Sequence, residues 1–161
     1  TSPRTTTLTS MGSRLGDLSG HGFSLALVSE RDENHERAVE VLNSFRGGSL
    51  WDQVITTNHV VAEAITAVRF KAEPHNLPKG HALAVEIGRG LFDGAFGRIY
   101  EVTTDEERSA FEYFARHHDK AYSFVDCVNF VVMDKLGMRE ALSVDGDFTH
   151  RFVARPGPSK K

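Results

Sequence analysis

The run Tyr122-Ser123-Phe124-Val125-Asp126, continuing through Asn129-Phe130-Val131-Val132-Met133 to Gly137-Met138 and then Ala141-Leu142-Ser143-Val144-Asp145-Gly146-Asp147-Phe148, decides the fold. Ser123 and Asp126 stand three residues apart ahead of an apolar stretch, the spacing of a helix N-cap and its reciprocal partner. A helix is predicted over 126–136, with Gly137 as its stop. The apolar segment 141–144 reads as a buried strand, and Asp145 follows it directly.

Working outward, the same alternation of helix and strand signals recurs. Ala38, Val41, Leu42 and Phe45 fall at i, i+3, i+4 and i+7, which predicts an amphipathic helix from about Asp32 that stops at Gly47-Gly48. Val54 to Thr57 is short and β-branched, a buried-strand pattern. Asn58 is placed to cap a helix whose face is Val61, Ala64, Ile65 and Val68, with Pro74 just past its end. A further helix follows Pro78 and carries Leu83, Ile87 and Leu91. Segment 98–102 reads as a strand, and Thr104 with Glu107 as the capping box of a helix bearing Phe111, Phe114 and Ala115. A last strand is expected over 152–154. Strands separated by helices of this length predict an α/β fold, a three-layer α/β/α sandwich around a mostly parallel sheet.

Residues 1–22, rich in Thr, Ser and Gly, offer little to bury and read as a flexible or atypical N-terminal segment. Arg4 and Arg14 with no acid before Asp17 give it a faint transit-peptide colour. The domain proper is expected over 23–154, and 155–161 reads as a basic Pro/Gly tail. In the whole chain of 161 residues, 19 Lys and Arg face 22 Asp and Glu, a formal net charge of -3, so any contact with a polyanion must be local. The single cysteine, Cys127, excludes an internal disulfide and a thiolate zinc cage. Apolar runs such as Phe23 to Val28 fall far short of the roughly 20 residues of a membrane helix. No membrane association is expected.

In an open parallel sheet, ligands bind outside the carboxyl ends of the strands, so acids just after strands are the informative ones. Glu63 meets that test on the helix after the Val54 strand, sharing a stripe with Val60, Ala67 and Phe70. Asp126 meets it in a first helical turn, and Asp145 at the end of an apolar strand with Asp147 two residues on. Each has a plain structural reading: Asp126 as half of a capping box, Glu63 reaching solvent, Asp145-Gly146-Asp147 as a turn. Together they read differently, because two carboxylates about 4 Å apart repel by about 4 kcal/mol at an effective dielectric of 20. Clustered acids want a cation, and an all-oxygen set suits Mg²⁺ or Mn²⁺.

The block 122–148 closely resembles the C-terminal half of PIN-domain ribonucleases of the VapC toxin type. Thr56-Thr57-Asn58-His59-Val60-Val61-Ala62-Glu63 looks like the family's segment carrying its second acid, and the stretch from Ser29-Glu30-Arg31-Asp32 to His35-Glu36-Arg37-Ala38 is similar to its early helices. The resemblance implies a metal-dependent endoribonuclease toxin of a type II toxin–antitoxin pair, cutting structured RNA such as an rRNA loop or tRNA to leave a 5′-phosphate and a 3′-hydroxyl. It further implies a cytoplasmic homodimer inhibited by a VapB-like antitoxin. Carried over position by position, Glu63, Asp126 and Asp145 match the second, third and fourth acids of a four-acid metal site, Asp147 is an accessory, and Ser123 matches a polar position at the site's edge. The first acid departs from the pattern: the aligned position falls on Gly20-His21-Gly22. Asp17-Leu18-Ser19 is the nearest substitute, but it needs an insertion and follows Arg14-Leu15-Gly16, a poor buried strand. A degenerate domain that binds a partner or RNA without cutting it is therefore the second function class.

Other constellations fall away. Asp145-Gly146-Asp147-Phe148-Thr149 fits an Asp-x-Asp-x-Thr phosphatase signature, but only 12 residues follow it, too few for the downstream machinery. Gly88, Gly90 and Gly94 miss the dinucleotide-loop spacing by one residue. A receiver-type phosphoacceptor lacks the lysine required after segment 141–144. The histidines lack paired metal spacing, and structural roles are expected for them and for Cys127. Arg69, Lys71, Lys79, Arg89, Arg98, Arg151, Arg155, Lys160 and Lys161 are the available phosphate-binding cations.

Overall fold

Among the described residues, five strands pair in parallel as one sheet, in the spatial order 98–100, 54–57, 14–15, 140–143 and 153–156. The chain runs β1 (Arg14–Leu15), α1 (Phe23–Val28), α2 (His35–Phe45), β2 (Val54–Thr57), α3 (Asn58–Ala67), a π-helical turn (Val68–Ala72) and α4 (Leu77–Phe92). It continues through β3 (Arg98–Tyr100), α5 (Thr104–Arg116), α6 (Phe124–Leu136), β4 (Glu140–Ser143) and β5 (Val153–Pro156). This computed structural model describes residues 14–15, 23–45, 54–143 and 153–156. Asp17, Asp145, Asp147 and Gly47-Gly48 lie outside them, as do the first residues and the last five.

The three-layer α/β/α reading of the sequence holds, and the alternation of the strands explains it. Val54 and Leu142 point into a core shared with Phe23 and Ala26 of α1, Val60 and Ala64 of α3, and Ile87 and Leu91 of α4. Their neighbours Ile55 and Ala141 point the other way, onto Phe130 and Met133 of α6. Behind α6, Ala110 of α5 packs with Cys127, Val128 and Val132. β2 and β4 are buried on both faces, as strands between two helical layers of a parallel sheet require. Among the described residues, no helix is long and apolar enough to cross a membrane.

Arg14–Leu15, whose composition argues against a buried strand, nevertheless forms the central strand: Leu15 pairs with Ile55 on one side and Ala141 on the other. Two residues suffice because both neighbours need a ladder partner there, and tertiary demand overrides intrinsic propensity. Elsewhere the differences are small. The α3 cap is Thr57, not Asn58; the Asn58 side chain accepts instead from the Val102 amide at 3.0 Å. β5 runs on through Arg155 and Pro156.

The α5 capping box lies one residue earlier than Thr104 and Glu107, on Thr103 and Glu106. The run Thr103-Thr104-Asp105-Glu106-Glu107 offers two registers, and the one adopted places Glu106 inside. The buried face of α5 is accordingly Glu106 and Ala110, with Tyr113 partly buried, whereas Phe111 and Phe114 are 57% and 42% exposed.

Glu106 is the most constrained carboxylate in this layer. Its Oε1 accepts from the Tyr100 hydroxyl at 2.7 Å and the Lys135 ammonium at 2.5 Å, while Oε2 accepts from the Thr103 amide at 2.8 Å. Burial alone would raise its pKa, but the Lys135, Tyr100 and Thr103 hydrogen bonds outweigh it and hold the group at about 2. A folded pKa below the unfolded one means stability that is present above pH 4.5 and lost as the pH falls toward 2. Glu106→Gln is expected to lower stability at neutral pH by about 2 kcal/mol and to flatten that acid limb, read by urea unfolding at several pH values.

Candidate functional site

Two helices begin at the carboxyl edge of the sheet, and their first turns face each other across it. α3 starts with no intervening residue after β2. α6 ends three residues before β4, so it runs antiparallel to the strands and its N-terminus also lies at their carboxyl edge. Thr57 joins the two. Its hydroxyl accepts from the Val60 amide at 3.2 Å, capping α3, and donates to Oδ1 of Asn129, a fully buried side chain of α6, at 3.2 Å.

Asp126 sits in the first turn of α6, only 7% exposed. The capping box expected there is complete: the Ser123 hydroxyl accepts from the Asp126 amide at 3.1 Å, and Asp126 Oδ2 accepts from the Ser123 amide at 2.8 Å. At the far end Gly137 adopts φ +66°, and the Met138 amide donates to the Met133 carbonyl at 2.8 Å, closing the helix. The Ser123 amide and the N-terminus of α6 both put positive partial charge against this carboxylate.

Glu63, half-buried on the second turn of α3, opens onto a cavity of about 450 Å³. His59, Phe70 and Lys71 line it from the α3 side and Val125, the residue before Asp126, from the α6 side. Val60 and Ala67 of the expected stripe are buried, while Phe70 at its end is 54% exposed. The structure thus brings Glu63 and the Asp126 turn to one edge. Asp17, Asp145 and Asp147 lie outside the described residues; in sequence they follow β1, which ends at Leu15, and β4, which ends at Ser143. Among the described residues, no three His, Cys, Asp or Glu side chains gather as a metal site.

The donors available at the edge are oxygens. His59 is held at 2.8 Å by Glu107 and meets the Phe124 ring edge-on. Cys127 is buried, and burial, reinforced by the negative charge of Asp126, pushes its thiol up to about 11. It stays protonated and inert. Carboxylates without thiolate or free imidazole suit a hard divalent ion such as Mg²⁺ or Mn²⁺ in kind. Of the cations expected to meet phosphates, Lys71 reaches the cavity, Lys79 is paired with Glu73 at 2.6 Å, and Arg69 donates to His81. Thr57 and Asn129 are the residues that the sequence reading missed; a buried Asn inside an otherwise apolar run was the available signal.

No family model matches the chain. Over 96 residues, 60% of this chain and 67% of the relative, it is 36% identical to the 23S rRNA-specific endonuclease VapC20 of Mycobacterium tuberculosis. The crystal structure of that sarcin-ricin loop cleaving toxin superposes with a TM-score of 0.71 at 32% identity, covering 86% of this chain and 94% of that one. The chain belongs to the VapC family of PIN-domain ribonucleases. A VapC ribonuclease of Archaeoglobus fulgidus is 25% identical over 135 residues, 83% of this chain and 80% of the relative. The VapC resemblance read from 122–148 and the α/β PIN-like fold are both borne out.

Because Ser123 holds the first turn of α6, Ser123→Ala is expected to cost about 1 kcal/mol of stability. Asp126→Asn, which keeps an acceptor for the Ser123 amide, is expected to cost less than that. Thermal unfolding of the two variants beside the parent checks the order.

Proposed function

We propose that this VapC chain is a divalent-metal-dependent endoribonuclease whose metal is held by Glu63, Asp126 and Asp145, with Asp17 as the first acid and Asp147 as an accessory. The observation that carries this reading is the buried Asp126 carboxylate, fixed by Ser123 at the edge where α3 carries Glu63. β1 supports it as well, since Asp17 follows the end of the central strand by two residues, the place a first acid requires. The sequence position of Asp17 just past β1 is our reason for preferring a catalytic site over a degenerate domain lacking its first ligand.

Mg²⁺ or Mn²⁺ bound there would supply a water of lowered pKa and neutralise charge developing on the phosphodiester. The chain's own work is placement. Ser123 fixes the Asp126 carboxylate, Thr57 and Asn129 hold α3 against α6, and the apolar wall at Val125 limits water beside the reacting phosphate. The substrate we assign is the sarcin-ricin loop of 23S rRNA, on the strength of the VapC20 relative that cuts it. We further propose that the toxin acts in the cytoplasm as a homodimer and is silenced by a VapB-like antitoxin.

Cleavage of a stem-loop RNA carrying the sarcin-ricin sequence, with and without chelator, tests this. Parent protein is expected to cut with added Mg²⁺ or Mn²⁺ and to stop when the ion is removed. Asp126→Asn, Asp145→Asn and Glu63→Gln are each expected to slow cutting by about two orders of magnitude or more while leaving the fold intact. Variants that cut as fast as the parent would overturn the assignment.

A further inference from the structure

The π-helical turn after α3 presents three consecutive residues, Arg69, Phe70 and Lys71, between Val68 and Ala72, which are buried. A wide turn of this kind inserts a residue into the helical register and re-aims the side chains it carries, and such turns occur frequently at functional sites. It is tightly packed. Gly80 of α4 packs against it so closely that a β-carbon there would collide with the Arg69 carbonyl oxygen.

Phe70 is 54% exposed on this turn and lines the same cavity as Glu63, seven residues and about 10 Å along the helix from it. The Arg69 guanidinium lies over its ring, 5.5 Å from the centroid, and is itself braced by His81. Lys71 lines the cavity beside it. A half-exposed aromatic ring lining the apolar cavity that also holds Glu63, with one cation over its face and another beside it, matches one chemistry: a base that stacks while its phosphates meet positive charge.

Resting on the ribonuclease reading above, we infer that Phe70 is a stacking platform for an unpaired base next to the cleaved phosphodiester, with Arg69 and Lys71 facing the adjoining backbone. Phe70 is thus a substrate-positioning residue, and its ring sets how flexible RNA enters the site. The cavity selects for single-stranded or loop RNA, because a base inside a duplex has no free face to stack.

Binding tests this separately from cutting. Fluorescence anisotropy of a fluorescein-labelled single-stranded RNA is measured on the Asp126→Asn chain, where no cleavage intervenes. Adding Phe70→Ala is expected to weaken binding about tenfold, whereas Phe70→Trp stays within about twofold of Phe. In the otherwise unaltered enzyme, Phe70→Ala raises KM for the stem-loop RNA by a similar factor with kcat little changed. Light scattering shows the same molecular mass for all variants. Unchanged RNA affinity on Phe70→Ala, or a change of mass marking Phe70 as a contact between copies of the chain, overturns the inference. Since the readout is binding, a chain that binds RNA through Phe70 but never cuts it refutes the ribonuclease reading alone.

Discussion

The Thr57 hydroxyl is the point on which the site's geometry turns. Within one side chain it ends β2, caps α3 through the Val60 amide and bonds the buried Asn129 of α6. Both bonds are made out of water, where leaving either partner unsatisfied costs about 1–3 kcal/mol. The consequence is mechanical. Two helices more than sixty residues apart in sequence are held with their N-terminal ends at one edge of the sheet, Asp126 in the first turn of α6 and Glu63 in the second turn of α3.

The buried carboxylates near this edge are each answered by a named partner. Asp126 is stabilised where it stands by the amide of Ser123 and the helix dipole, so part of its charge is already answered by the backbone. Glu106, on α5, is answered by Lys135 and Tyr100, and Glu107 by His59. The structural carboxylates of this region therefore have protein partners built for them. Glu63 and the Asp126 turn share the carboxyl edge of the sheet, which is where a parallel sheet concentrates ligands.

The α6 element was legible because its signals are local and agree: a Ser-x-x-Asp box, an apolar run and a terminal Gly. β2 was legible for the same reason, and with it the place of Glu63. The central strand was not, since nothing in Arg14-Leu15 marks it; its pairing with β2 and β4 is a demand made by distant residues. The inward face of α5 was not legible, because apolar periodicity cannot see that Glu106, paired with Lys135, is the residue turned inward. Thr57 and Asn129 were invisible as a pair, being 72 residues apart.

Manganese relaxation enhancement reports most directly whether the edge built by Thr57, Ser123 and Asp126 is where a cation sits. On titrating Mn²⁺ into the labelled protein, amide signals of residues 124–127 and 59–64 should broaden first and saturably, with the effect fading along α6 toward Leu136. Broadening that is strongest elsewhere, or absent at both first turns, would contradict a metal site at this edge.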